Sequence, residues 1–182
     1  MQKAMTEPAE VFQPPIARLG GDAAEIRRNG GVAELTARAI IDTSLYLVLA
    51  TADSTGQPWS SPVYFAHHGY AEFFWVSAPQ AAHSRNIAAR PRVGIVIFDS
   101  HAPIGAGQGV YISAVAEQVG GDDLTQGMDT FSRRSLAHGG AAWTVRDVQA
   151  DSGLRLYRAI ADSYSILAKD GQPGHRIPAH PA

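Results

Sequence analysis

Residues 45–98 read LYLVLATADSTGQPWSSPVYFAHHGYAEFFWVSAPQAAHSRNIAARPRVGIVIF, and the fold is decided there. Residues 45–51 form a continuous apolar run, too short for a stable helix and rich in Val and Leu, so a buried strand is expected. Asp53-Ser54-Thr55-Gly56 is turn chemistry, with Gly56 free to adopt positive φ. Residues 59–67 alternate, with Trp59, Ser61, Val63 and Phe65 on one face and Ser60, Pro62, Tyr64 and Ala66 on the other. Pro62 cannot donate a ladder bond, which sends this strand to an edge or a bulge. His68-Gly69-Tyr70 predicts a tight hairpin, and residues 72–77 its return strand. Ser77 followed by Pro79 predicts a helix start, with Ser77 as the hydroxyl cap, and Pro91 stops that helix at Arg90. Residues 92–98 read as a strand buried on both sides.

Outward from this stretch, residues 22–42 carry apolar residues at helical spacing (Ile26, Val32, Leu35, Ala39, Ile40), and Gly30-Gly31 predicts a break into two pieces. Residues 110–119 predict a strand and 124–137 an amphipathic helix capped by Asp122 or Asp123. Residues 154–161 and 164–168 predict two closing strands. Residues 1–21 are Pro-punctuated and aperiodic and predict an N-terminal arm. Residues 171–182 predict a loose C-terminal tail. Many short strands in hairpin order, with helices only as insertions, predict a mainly β chain closed as an antiparallel barrel.

At 182 residues the chain fits one domain with a full core. Lys+Arg 15 against Asp+Glu 17 gives a net charge of −2, and no broad basic field for nucleic acid. The absence of cysteine excludes disulfides, thiolate metal centres and a cysteine nucleophile. No apolar run reaches the ~18 residues of a membrane span, and no signal core opens the chain. A soluble, cytoplasmic protein is expected.

Candidate chemistry gathers after the third strand. The helix over residues 79–90 offers unpaired amides and a favourable dipole to an anion, with His83 and Arg85 as added donors. The competing reading is a solvated helix with an incidental His and Arg. Ser60, Ser61 and Ser77 offer hydroxyls to a heteroaromatic edge, or satisfy local backbone groups. Trp59, Trp75 and Trp143 are stacking partners or core. Gly105-Ala106-Gly107-Gln108-Gly109 has glycine spacing without a strand before and a helix after, so no dinucleotide fingerprint is read there; Gln108 stays a candidate ligand contact. The seven histidines show no metal-ligand spacing and no hydrolase nucleophile motif is present, so neither a metal site nor nucleophilic catalysis is expected.

The pieces LATADSTGQPWSSPVYF (49–65), FFWVS (73–77), HSRNIAARPRVGIVIF (83–98), GVYISAVAEQV (109–119) and RLYRAIADSYSIL (155–167) resemble the pyridoxamine 5′-phosphate oxidase-like family of flavin-binding split β-barrels. That resemblance implies one FMN-binding split-barrel domain over residues 22–170, a few peripheral helices, and a homodimer with FMN at the subunit interface. It implies ring contacts from Ser60, Ser61, Pro62, Val63, Trp75, Val76 and Ser77, and phosphate contacts from His83, Ser84, Arg85 and Asn86. It implies oxidoreductase activity on a small molecule, with NAD(P)H as a candidate donor. Alternatives are an F420-dependent reductase and a non-catalytic flavin or haem carrier. The family's Arg-Lys phosphate pair falls at Ala82-His83, its Arg-Gln pair at Gln108-Gly109, and its C-terminal substrate-binding tail has no counterpart.

Overall fold

The computed structural model describes residues 23–172 and 174–182; the N-terminal arm expected over residues 1–21 lies outside them. Its elements are α1 (Ala23–Thr43), β1 (Tyr46–Ala52), β2 (Pro58–Tyr64), β3 (Ala66–His68), β4 (Glu72–Ser77), α2 (Ala82–Ala89), β5 (Arg92–Phe98), β6 (Gly109–Gln118), α3 (Asp123–Ala137), β7 (Arg155–Leu167) and β8 (Arg176–Ala179). Two 3-10 turns, Val145–Val148 and Ala150–Ser152, lie between α3 and β7.

All strand pairs are antiparallel, in the order β2-β1-β5-β6-β7-β4-β3, with β8 also on β7. The two ends of that order, β2 and β3, are separated in sequence only by Phe65, so the edges of the sheet must return to each other. The sheet is therefore curled as a split β-barrel. Among the described residues β2 pairs with β1 alone, which explains how it carries Pro62. Phe65 is fully buried and its N–H donates to Leu45 O at 3.3 Å, which holds the corner.

The interior is filled from alternate positions of each strand: Leu47 and Leu49, Phe73 and Trp75, Ile95 and Ile97, Val110, Ile112 and Ala114, with Ala33, Ala37 and Ile41 of α1. A second cluster, Ala66, Phe74, Val119, Met128, Phe131, Val148 and Leu156, sits under α3. β4 is thus covered on both faces, which accounts for its Phe73-Phe74-Trp75 run.

Several expectations are corrected. α1 is one uninterrupted helix across Gly30-Gly31, and it presents Ala33, Ala37 and Ile41 inward; Val32 and Leu35 are exposed. β5 buries Val93, Ile95 and Ile97 toward the interior, whereas Gly94 and Val96 on its other face are half-buried and Arg92 and Phe98 exposed. The two closing strands are one strand, β7, in which Asp162 is the unpaired residue of a bulge opposite Ser113/Ala114. The C-terminal tail is not loose: β8 pairs with Tyr164–Leu167 of β7, Ala179 and Pro181 are buried, and Arg38 Nε donates to Pro181 O at 3.0 Å. The hairpin is as expected, with Gly69 and Tyr70 both at positive φ (57° and 60°) in the three-residue connection Gly69-Tyr70-Ala71, closed by Ala71 N–H donating to His68 O at 3.1 Å. Tyr70 is held there by its stack on His67 (4.8 Å) and its hydroxyl bond to Asp42 (3.1 Å).

Candidate functional site

Across the split of the barrel, β2 and β4 share no ladder bonds, and a side chain from α2 joins them. His83 Nδ1 lies 3.1 Å from Ser61 Oγ on β2, and its Nε2 lies 2.8 Å from Ser77 Oγ on β4. Trp59 Nε1 donates to the same Ser61 Oγ at 3.0 Å. Ser77 is therefore not the helix cap; Ala81 is, with no side-chain bond to the first-turn amides. His83 faces inward beside Ile87, and burial lowers its pKa from 6.5. Neutral imidazole serves both hydroxyls, one ring nitrogen donating and the other accepting. His83 is a bridge, not a cation.

The outer stripe of α2 behaves differently. Ala82, Arg85, Asn86 and Ala89 line a cleft of ≈ 480 Å³ whose opposite wall is Asp53, Ser54, Gln57, Pro58 and Trp59. The β1–β2 turn is rigid there: Asp53 Oδ1 accepts from Thr55 N (2.8 Å), Thr55 Oγ1 (2.6 Å) and Gln57 N (3.0 Å), and Gly56 takes φ 95°. The Thr55 hydroxyl, then the backbone N–H of Gln57, hold the Asp53 pKa below its ordinary value, so this carboxylate is charged at neutral pH. Arg90 Nη2 donates to Ser54 O at 2.9 Å and ties the end of α2 to the turn. Asn86 is buried and its Nδ2 donates to Thr51 Oγ1 at 3.0 Å. Arg85 is exposed, with Nη1 directed to Gln80 O. Ser84, in the first turn of α2, is buried with its hydroxyl unpartnered.

The structure thus brings Ser61, Ser77 and His83 into one hydrogen-bonded set, and sets Arg85 and Asn86 on the cleft beside it. Ser60 and Pro62 point to the opposite, exposed face of β2. Val63 and Val76 are half-buried. Trp75 is fully buried against Tyr157 (5.9 Å, 13°) and is core. Gln108 lies at the other end of the barrel, where Nε2 donates to Leu167 O (2.9 Å) and Oε1 accepts from Leu167 N (3.0 Å) and Gly109 N (3.0 Å). It works as a side-chain clamp between β6 and β7. Asp53 and Gln57 on the cleft were outside the predicted set, and Trp59, read from the sequence as a stacking partner or core, lies on it; the turn signal at residues 53–56 marked the loop but not the wall it forms.

Residues 34–163 match the pyridoxamine 5′-phosphate oxidase family. The chain belongs to this family. No curated protein matches it. Among solved structures it is similar to a heme binding protein from Mycobacterium smegmatis (23% identity, 78% of this chain, TM-score 0.61). The match spans only 55% of the length of that protein. It is also similar to an F420 reductase (18% identity, 71% of this chain and 95% of the other, TM-score 0.53). A FAD-binding protein from Mesorhizobium loti matches at 18% identity, over 72% and 91% of the two chains, with TM-score 0.56. At these identities the likeness is one of fold. Within the pyridoxamine 5′-phosphate oxidase family, this chain carries the hydroxyl–imidazole bridge where the resemblance implied a phosphate-binding cation.

Proposed function

We propose that the protein is a cytoplasmic, homodimeric flavin-dependent oxidoreductase that binds FMN beside α2 and acts on a small molecule. The observation that carries this reading is the cleft along α2, where Arg85 and Asn86 stand next to a first turn without a side-chain cap and a buried, unpartnered Ser84 hydroxyl. The uncapped first-turn amides and the one guanidinium fit a phosphate monoester. His83 does not fit that role, since both ring nitrogens are engaged. Bound flavin would supply the electron and hydride chemistry. The chain's own part is to orient and bind: Arg85 and the first-turn amides of α2 toward the phosphate, Ser61 and Ser77 as hydroxyls fixed by His83, and the half-buried Val63 as apolar surface. Gln108 has no task in a single copy of this site.

Dimerisation is supported by apolar surface that one chain leaves bare. Tyr46, Phe98 and Ile160 are exposed on the outer face of the sheet, and Val32 and Leu35 on α1 are 64% and 68% exposed. A partner chain on the outer face of the sheet would cover Tyr46, Phe98 and Ile160.

The test is FMN titration of the wild type and Arg85→Ala. A loss of about tenfold in affinity, ~1.4 kcal/mol, is expected for the variant. Unchanged affinity would remove α2 from the site. Bleaching of bound flavin by NADH or NADPH would separate an enzyme from a carrier.

A further inference from the structure

Trp59 is the largest side chain of β2, and it is not in the core. It is 52% exposed, whereas Trp75 on β4 is fully buried. Yet the indole is not loose: Nε1 donates to Ser61 Oγ, and Ser61 Oγ is held in turn by His83. An exposed indole pinned in this way is a preformed stacking wall that loses little conformational entropy on binding.

The rest of the same cleft supplies polar groups of a definite pattern. Arg85 uses Nη1 within the chain, and its other N–H groups have no partner among the described residues. Asp53 receives its bonds on Oδ1 and none on Oδ2, and Asn86 donates through Nδ2 while its Oδ1 accepts none. One aromatic wall, one cation and two acceptors therefore face a volume of ≈ 480 Å³, within the range of small-ligand sites. A polyanion would meet the Asp53 carboxylate. A planar heteroaromatic ring with N–H or hydroxyl donors and a single phosphate would meet complementary groups throughout.

We infer that this cleft binds the nucleoside monophosphate unit of a nucleotide, the ring on Trp59, the phosphate at Arg85, and ring-amine or ribose donors at Asp53 and Asn86. The inference rests on the flavin reading only for the source of that unit. It is the adenylate half of FAD, continuing from a flavin phosphate at α2.

The experiment is titration of the full chain with AMP, followed by tryptophan fluorescence and by calorimetry, with adenosine and inorganic phosphate as partial probes. Saturable quenching by AMP is expected in the wild type and absent in Trp59→Phe, which still binds AMP calorimetrically. Arg85→Gln is expected to lose about tenfold for AMP and little for adenosine. No saturable change in the wild type would overturn the inference whatever the variants do, and so would quenching that persists in Trp59→Phe. A preference for FAD over FMN that vanishes in Trp59→Ala would assign the adenylate to the cofactor. Equal FMN and FAD affinities would contradict that assignment. Flavin binding with no AMP response would sink this inference and leave the flavin reading. AMP binding with no flavin binding would do the reverse.

Discussion

His83 makes a prediction that separates a bridge from a phosphate ligand. Replacing it with Ala removes the link between Ser61 and Ser77 and is expected to lower stability by about 1–3 kcal/mol, read as a shift in denaturant midpoint. Its effect on FMN affinity should be smaller than that of Arg85→Ala. The pH dependence follows from the same burial. His67 and His83 both have pKa values lowered from 6.5, chiefly by desolvation, so the folded protein resists protonation that the unfolded chain accepts. Stability is then level above about pH 6.5 and falls as pH drops below it, because the unfolded state binds more protons there. Denaturation at pH 7.5 and 5.5 checks this, with His83→Gln expected to flatten part of the slope; an unchanged slope would remove His83 as its source. In the sequence, His83 lies one turn before Ile87, a spacing that sets the two on the same helix face. Its charge state was not legible, since that depends on the burial and on two hydroxyls brought from different strands.

At the scale of elements, Gly127 sets how closely α3 lies on the sheet. A Cβ built there would come within 2.7 Å of Leu156 Cδ2 and 3.0 Å of Phe74 Cε1, both on buried side chains. Gly127→Ala, which would favour an isolated helix, is therefore expected to destabilise this one by about 1 kcal/mol in thermal or chemical unfolding. β8 gives a second test. Truncation after Gln172 removes its pairing with β7 and the Arg38–Pro181 contact, and a loss of about 2 kcal/mol or more is expected in denaturant unfolding. β1, β4, β5, β6 and α3 were legible because apolar period and turn residues agree along each of them. β8 was not: it is four residues long, holds Pro178 at an edge, and exists only because β7 offers it a free ladder. The continuity of β7 was masked by the polar pair Asp162-Ser163, which a bulge accommodates without ending the strand.

For the whole molecule, the hairpin order already implied an antiparallel sheet, and Pro62 left β2 either an edge or a bulge, of which the structure has the edge. Closure follows from topology, since β2 runs into β3 through one residue and these are the two ends of the sheet. The cleft wall was the harder part: Asp53, Gln57 and Trp59 face Arg85 and Asn86 only after β1, β2 and α2 have packed. If the proposed dimer uses the outer face that carries Tyr46 and Phe98, a dimer at micromolar concentration is the expected result of light scattering after size exclusion, and Tyr46→Glu is expected to shift it to monomer. The central claim is that this barrel carries a flavin, and the visible absorption spectrum of the purified protein tests it most directly. Bands near ~370 and ~450 nm that co-elute with the protein after FMN is added are the predicted result, the signature of a bound isoalloxazine. A protein that stays colourless through that step, or shows a single ~420 nm band or a sharp Soret-like band in place of the flavin pair, would contradict it.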